Sequence, residues 1–216
     1  MDRLLRIVRP SAGSAAADQG AEDRRLVAGL RAGEVWATGA LVDRHGPHIR
    51  RVLMRLLGST DGGAEQADIF QEVITAAWEG IERLHDPAAL RAWLTRIAVF
   101  TARKVLRTRR RRRWLAFLDD VPDVPAVWAG PELREAARAV YEILDRMPVD
   151  ERIPFTLRML EKLDLEETAI ACEMSLATVR RRLVRAERRF HKLARGYEAL
   201  GPWLGRAAGG EQDGER

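Results

Sequence analysis

The stretch Leu163–Leu193, LDLEETAIACEMSLATVRRRLVRAERRFHKL, reads as two short helices separated by one polar turn. Asp164 is placed to cap the first helix, and Glu167, three residues on, closes a capping box; Ser175 is placed to cap the second. Ala169 and Cys172 fall in register with Val179, Leu183, Ala186 and Phe190, an apolar row at helical spacing that leaves the arginines of the second helix on the other side. This is the pattern of a helix-turn-helix whose second helix enters a DNA groove. Between Arg180 and Arg195 stand eight Arg or Lys and a single acid, Glu187. Almost no i,i+4 ion pair is available to neutralise that face, so a polyanion suits it better than water alone, the ordinary surroundings of a charge run.

Upstream of the motif, Pro131 opens a helix over 132–146 with Ala136, Val140, Ile143 and Leu144 inward, and Met147-Pro148 stops it. The next helix starts near Val149 or Asp150, because Pro154 is tolerated only in an opening turn, and runs to about Leu163. Residues 114–131, WLAFLDDVPDVPAVWAGP, hold three prolines, three acids and no base, without sustained periodicity, and read as a linker. Trp114, Phe117, Leu118 and Trp128 are too apolar for a bare tether and suit a groove in a partner or a path across the second domain.

The first half is helical and alternates in sign. Helices are expected over Glu22–Arg31, Val35–Arg44 and Ile49–Leu57, the last two separated at Gly46-Pro47, with a loop at Gly58–Gly63. From Asp61 to Asp86 there are seven acids and one base, Arg83, on a helix whose other face carries Ile69, Val73, Ala76, Ala77 and Ile81. Such a face suits docking to a basic protein surface. Asp86-Pro87 then starts a helix to Arg113 that is apolar at Leu90, Trp93, Leu94, Ile97, Ala98 and Val105. Eight of the eleven residues from Arg103 to Arg113 are basic and none is acidic. With Trp93 and Phe100 on the same helix, aromatic rings beside cations suit unpaired bases, although a lone tryptophan is equally at home in a core.

Composition narrows the classes. The chain has 216 residues, 37 basic against 32 acidic, and a pI near 10.1, which points to an acidic polymer as partner. A single cysteine, Cys172, cannot close an internal disulfide and reads as a small core residue. No metal-ligand spacing and no cofactor motif is evident, and no apolar run is long enough for a membrane span, so a cytoplasmic protein is expected. Residues 1–21 read as a mobile leader and 197–216 as a loose tail. The paired carboxylates Asp68 and Glu72 raise a metal-dependent nuclease, but no His, Lys or phosphate-cradling glycine loop completes such a site, and Ser11 and Ser14 sit in the leader.

Three pieces together, DIFQEVITAAWEGI at Asp68–Ile81, RAWLTRIAVFTARKVLR at Arg91–Arg107 and MPVDERIPFTLRMLEKLDLEETAIACEMSLATVRRRLVRAERRF at Met147–Phe190, resemble the extracytoplasmic-function group of the sigma-70 family, in the family's order. The resemblance implies an all-α chain of two small helical domains: a region 2-like bundle over 22–113 and a region 4-like helix-turn-helix over 132–196, joined by the linker. It implies a non-enzymatic factor that binds core RNA polymerase and promoter DNA, and it admits an anti-sigma factor as a further partner. By the same resemblance, Asp68, Gln71, Glu72 and Trp78 dock on the clamp helices of the largest polymerase subunit. His85, Trp93, Arg96, Phe100, Arg103, Lys104 and Arg107 meet the minus-10 element. Ser175, Thr178, Arg180, Arg181, Val184, Arg185 and Arg188 meet minus-35.

The chain departs from the family pattern in four places. Phe100 stands where a polar residue, often Asn, is common, and Lys104 where Asp or Asn is common. Glu173 stands where a turn glycine is common, and Thr168 replaces a large aliphatic. A stand-alone helix-turn-helix regulator would share the C-terminal half but would leave the acidic helix and the aromatic, arginine-rich helix unexplained.

Overall fold

The computed structural model describes residues 12–58, 64–116 and 131–201, and among them there is no strand. Eight helices follow in order: α1 Ala12–Arg31, α2 Val35–Leu57, α3 Ala64–Gly80, α4 Leu90–Ala116, α5 Pro131–Arg146, α6 Val149–Met159, α7 Leu165–Cys172 and α8 Leu176–Ala194. Short 3-10 turns lie at Ile81–Arg83, Pro87–Ala89 and Glu198–Leu200. The loop expected at Gly58–Gly63 lies, after Gly58, outside the described residues, as does the linker from Phe117 to Gly130.

Four element bounds differ from the sequence expectation. Helix α1 begins at Ala12, ten residues before Glu22 and inside the expected mobile leader; the alanine-rich run ahead of Glu22 has high helix propensity and continues the helix outward. Val35–Leu57 is one helix, not two, with Pro47 inside it. A single buried face, Leu41, His45, Ile49, Val52, Leu53 and Leu56, runs through both halves, and its packing outweighs the hydrogen bond that Pro47 forgoes. Helix α6 starts at Val149, as expected, but ends at Met159, before the expected Leu163. Pro154 within it leaves the Asp150 carbonyl without its i,i+4 donor, and Arg182 of α8 supplies one at 3.1 Å. Finally, the chain expected to loosen at Tyr197 turns back onto α5, and Leu200 is buried.

Helices α1–α4 enclose one core, with Val27, Leu41, Ile49, Leu56, Val73, Leu90 and Leu94 at its centre. Helices α5, α6 and α8 enclose another around Ile143, Leu144, Val179 and Ala186, where Phe155 stacks on Phe190 at 5.1 Å between ring centroids. The two units touch. Val149, Ile153 and Leu157 of α6 and Ala171 and Cys172 of α7 join the first core, packing against α2 and α4.

Polar contacts reinforce that junction. Arg152, the largest fully buried side chain, is 2% exposed; its Nε donates to the Leu56 carbonyl at 3.1 Å while Nη1 pairs with Asp145. Within the first unit Arg109 of α4 donates to the Leu57 carbonyl at 3.2 Å, so two arginines meet carbonyls that the end of α2 leaves unpaired. Glu161, its side chain only 5% exposed, accepts from Arg51 at 3.3 Å and forms an ion pair with Arg55 at 3.2 Å, both across the junction.

Candidate nucleic-acid interface

The helix-turn-helix forms by the caps expected. The Asp164 carboxylate accepts from Glu167 N at 2.8 Å and the Glu167 carboxylate from Asp164 N at 2.8 Å. The Ser175 hydroxyl accepts from Thr178 N at 3.3 Å and donates to the Thr178 hydroxyl at 2.9 Å. Thr168 is fully buried and compensates for its polarity by donating to the Asp164 carbonyl at 2.6 Å. Glu173 adopts the left-handed conformation, φ 55° and ψ 49°, that favours glycine at this turn. Cys172 is buried, and that burial pushes its thiol up to about 11.

On α8 the row Val179, Leu183 and Ala186 is buried, and Arg180, Arg181, Val184, Arg185 and Arg188 are exposed. Arg181, Val184, Arg185 and Arg188 follow one another at spacings of three, one and three residues and so share a stripe. Two other arginines of this helix are tied to α6: Arg182 to Asp150, and Arg189 to Glu151 at 2.9 Å.

On α4 the exposed side carries Phe100, 65% exposed, with Lys104 and Arg107 one and two turns further on. Trp93 does not offer a stacking surface here. Its ring is buried, 8% exposed, and lies against Gly80, where an added Cβ would come within 3.4 Å of it. His85 is exposed, just before Asp86, whose carboxylate accepts from Ala88 N at 2.9 Å and opens the turn into α4. On α3, Asp68, Gln71, Glu72 and Trp78 all face outward, away from the buried Ile69, Val73 and Ala77.

The comparisons with known proteins agree with this geometry. The description Sigma-70 region 2 matches residues 41–112, and Sigma-70 region 4 matches residues 137–190. The ECF RNA polymerase sigma-E factor of Haemophilus influenzae is 30% identical over 178 residues, covering 76% of this chain and 90% of its own. The chain belongs to the sigma-70 family. The sigma-E factor of Escherichia coli K12 is 28% identical over 176 residues with the same coverage, which places this sigma factor with the extracytoplasmic-function group. Two solved structures share the fold: CnrH in complex with the cytosolic domain of CnrY, at TM-score 0.57 and 24% identity over 81% of this chain and 97% of that one; and the sigma factor RpoE in complex with the anti-sigma factor NepR from Bartonella quintana, at TM-score 0.56 and 22% identity over 73% and 96%.

In this sigma factor several basic groups of α4 are engaged by its own acids and carbonyls. Arg96 lies 3.7 Å from Glu173, Arg103 donates to the Cys172 carbonyl at 3.1 Å, and Arg107 lies 3.6 Å from Asp150. All three partners belong to the C-terminal unit. Lys104 pairs with Glu72 of α3 at 2.8 Å. The pairings of Asp150 and Glu173 with α4, and of Glu161 with Arg51 and Arg55 of α2, were not legible in the sequence, since no local spacing signals an ion pair between residues 43 to 110 positions apart.

A buried histidine pair holds α2 against its neighbours. His45 Nε2 is 3.1 Å from Asp23 of α1, and His48 Nε2 is 2.8 Å from the Thr95 hydroxyl of α4. The Thr95 hydroxyl donates to the Arg91 carbonyl at 2.9 Å, so His48 Nε2 must be the donor to Thr95. Its Nδ1 faces Arg51 Nη2 at 3.1 Å and accepts. This network requires neutral His48, and burial, with Arg91 and Arg51 nearby, lowers its pKa to about 4. Among the described residues no group of three or more His, Cys, Asp or Glu is arranged to hold a metal ion, and no helix is long and apolar enough to cross a membrane.

Proposed function

We propose that the chain works as a sigma factor through three surfaces. Asp68, Gln71, Glu72 and Trp78 on α3 dock core RNA polymerase; His85, Arg96, Phe100, Arg103, Lys104 and Arg107 meet the minus-10 element, with Trp93 positioning α4 from beneath; Ser175, Thr178, Arg180, Arg181, Val184, Arg185 and Arg188 meet minus-35. The observation that carries this reading is the family match to regions 2 and 4 in one chain, together with an exposed face of the appropriate chemistry on α3, α4 and α8.

The physical logic is a division of labour. Bidentate arginine to guanine contributes about 1–3 kcal/mol of discrimination per contact, while arginines on phosphates hold without reading. Tethering two modest readers to one polymerase raises the effective concentration of each at the promoter. In this reading the factor performs no bond chemistry of its own and acts in the cytoplasm with the polymerase. The bound state of both solved neighbours, held by CnrY and by NepR, also supports control of this factor by an anti-sigma protein.

Run-off transcription with purified core polymerase on a pool of genomic promoters, followed by start-site mapping, tests the reading. Discrete starts that share minus-10 and minus-35 elements are expected, and Asp68→Lys should abolish copurification with the core enzyme. Absence of any factor-dependent start would overturn it.

A further inference from the structure

Helix α1 lies against both short 3-10 turns, Ile81–Arg83 and Pro87–Ala89, that flank His85. Its last turn is fixed from two sides. Leu26, Val27 and Leu30 are buried in the first core, and Gly29 lets the helix close onto the Trp36 ring, to which an added Cβ would come within 2.6 Å. Gly33, at φ 69°, then ends the helix in a left-handed turn, with Glu34 N donating to the Gly29 carbonyl at 2.9 Å. Arg31 leaves this clasped turn towards the segment that carries His85: its Nη2 donates to the Leu84 carbonyl, and its Nε lies 3.8 Å from the Glu82 carboxylate. The guanidinium is thereby turned onto protein groups, with the side chain 35% exposed.

The Leu84 carbonyl is the last backbone group before an exposed bend. His85, Asp86 and Ala88 are exposed, whereas Leu84 and Leu90, on either side of them, are buried. The downstream half of the bend is ordered locally, since the Asp86 carboxylate accepts from Ala88 N at 2.9 Å and the Asp86 carbonyl from Ala89 N at 3.0 Å. The upstream half is held through Arg31, 53 residues earlier in the chain. With the Leu84 side chain buried, loss of that hydrogen bond leaves the bend attached but frees the peptide plane between Leu84 and His85 to turn, and His85 turns with it.

We infer that Arg31 is a positioning residue for base selection: through the Leu84 carbonyl it fixes the angle from which His85 meets a base edge of the minus-10 strand. This rests on the assignment of His85 to minus-10. Hydrogen bonds to a base edge discriminate only when their direction is held, whereas charge on phosphate tolerates displacement. Arg31 therefore acts on selectivity and not on overall affinity, and it does so from a helix none of whose residues is assigned to DNA.

The experiment uses reconstituted holoenzyme and a single-stranded minus-10 library randomised one position at a time. Arg31→Ala should reduce the preference at one position by about tenfold, the order that one well-aligned contact to a base edge supplies, with library-averaged binding and salt slope close to the parent's. His85→Ala should lose preference at the same position. Arg31→Lys, which retains one donor for the Leu84 carbonyl, should recover most of it. A uniform loss across bases with the salt slope reduced by about 0.7 would make Arg31 a phosphate contact on the single strand, and a loss of preference spread over all positions would mean general loosening of the bundle. No rescue by Arg31→Lys, or an unchanged preference in Arg31→Ala beside a lost one in His85→Ala, would break the link through Leu84. Each of these results overturns the inference while leaving the minus-10 assignment standing. If neither His85→Ala nor Phe100→Ala alters binding to the library, the assignment itself fails, and the inference with it.

Discussion

Arg103 donates from Nη2 to the carbonyl oxygen of Cys172 at 3.1 Å, joining the helix proposed to meet minus-10 to the first helix of the helix-turn-helix. With Arg96 beside Glu173 and Arg107 beside Asp150, the face of α4 proposed to meet minus-10 is partly occupied by the C-terminal unit, while the exposed stripe of α8 stays clear. Hydrogen bonds and ion pairs help to close this junction, so charge changes should loosen it.

Glu161→Gln removes the carboxylate that Arg51 and Arg55 share across the junction. Those arginines are partly exposed and can turn to water, so the expected loss of stability is about 1–2 kcal/mol, less than for a fully buried pair. The two units should separate more readily, and the free factor should bind a single-stranded minus-10 oligonucleotide several-fold more tightly. Fluorescence anisotropy with the oligonucleotide, and energy transfer between dyes placed on α3 and α5, would read both effects; unchanged values on both would show that Glu161 does not hold the junction.

Glu173 carries a left-handed backbone, at a cost that glycine avoids. Glu173→Gly should raise stability by about 0.5–1 kcal/mol, the conformational relief outweighing both the added freedom of the unfolded chain and the solvent-exposed pairing with Arg96. Glu173→Ala loses the same pairing without relieving the backbone and should not stabilise. Urea midpoints of the three proteins distinguish these cases.

Protonation of His48 would place an N–H against the Arg51 guanidinium. The folded pKa, about 4, lies below the ordinary histidine value of 6.5, so between these values the unfolded chain binds a proton that the folded chain refuses. Stability should therefore be flat above pH 7 and fall as pH drops from about 6.5 towards 4, with a limiting slope of about 1.4 kcal/mol per pH unit for one proton. His45, whose pKa is also lowered chiefly by burial, acts in the same direction. Urea titrations across this range should show a shallower decline for His48→Gln, and a profile identical to the parent would assign the pH dependence elsewhere.

On α8, reading and holding should separate by position. Arg181→Ala should relax preference at one or two minus-35 positions at a cost of about 1–3 kcal/mol there. Arg188→Ala, further along the same stripe, should weaken all sequences alike and reduce the salt slope by about 0.9. Arg189, bound to Glu151, should instead affect the packing of α6 on α8 when replaced. Binding of the holoenzyme to a randomised minus-35 library at two salt concentrations measures the first two effects, and a thermal melt the third.

Much of this architecture was legible in the amino-acid order because its signals are local. The capping pair Asp164–Glu167, the cap Ser175, the buried row of α8 and the sign change from α3 to α4 each lie within a few turns of chain, where spacing alone decides which side chains share a face. The continuity of α2 through Pro47 was not legible, because local chemistry argues for a break and only the common buried face overrides it. Nor was the burial of Trp93, since a helical position can serve a core or a base equally until the packing of Gly80 beneath it is known. The junction belongs wholly to tertiary structure. Arg152 meeting Leu56, Arg55 meeting Glu161 and Arg103 meeting Cys172 join residues 69 to 106 positions apart, and such pairings are determined by how two packed units meet, not by any pattern along the chain.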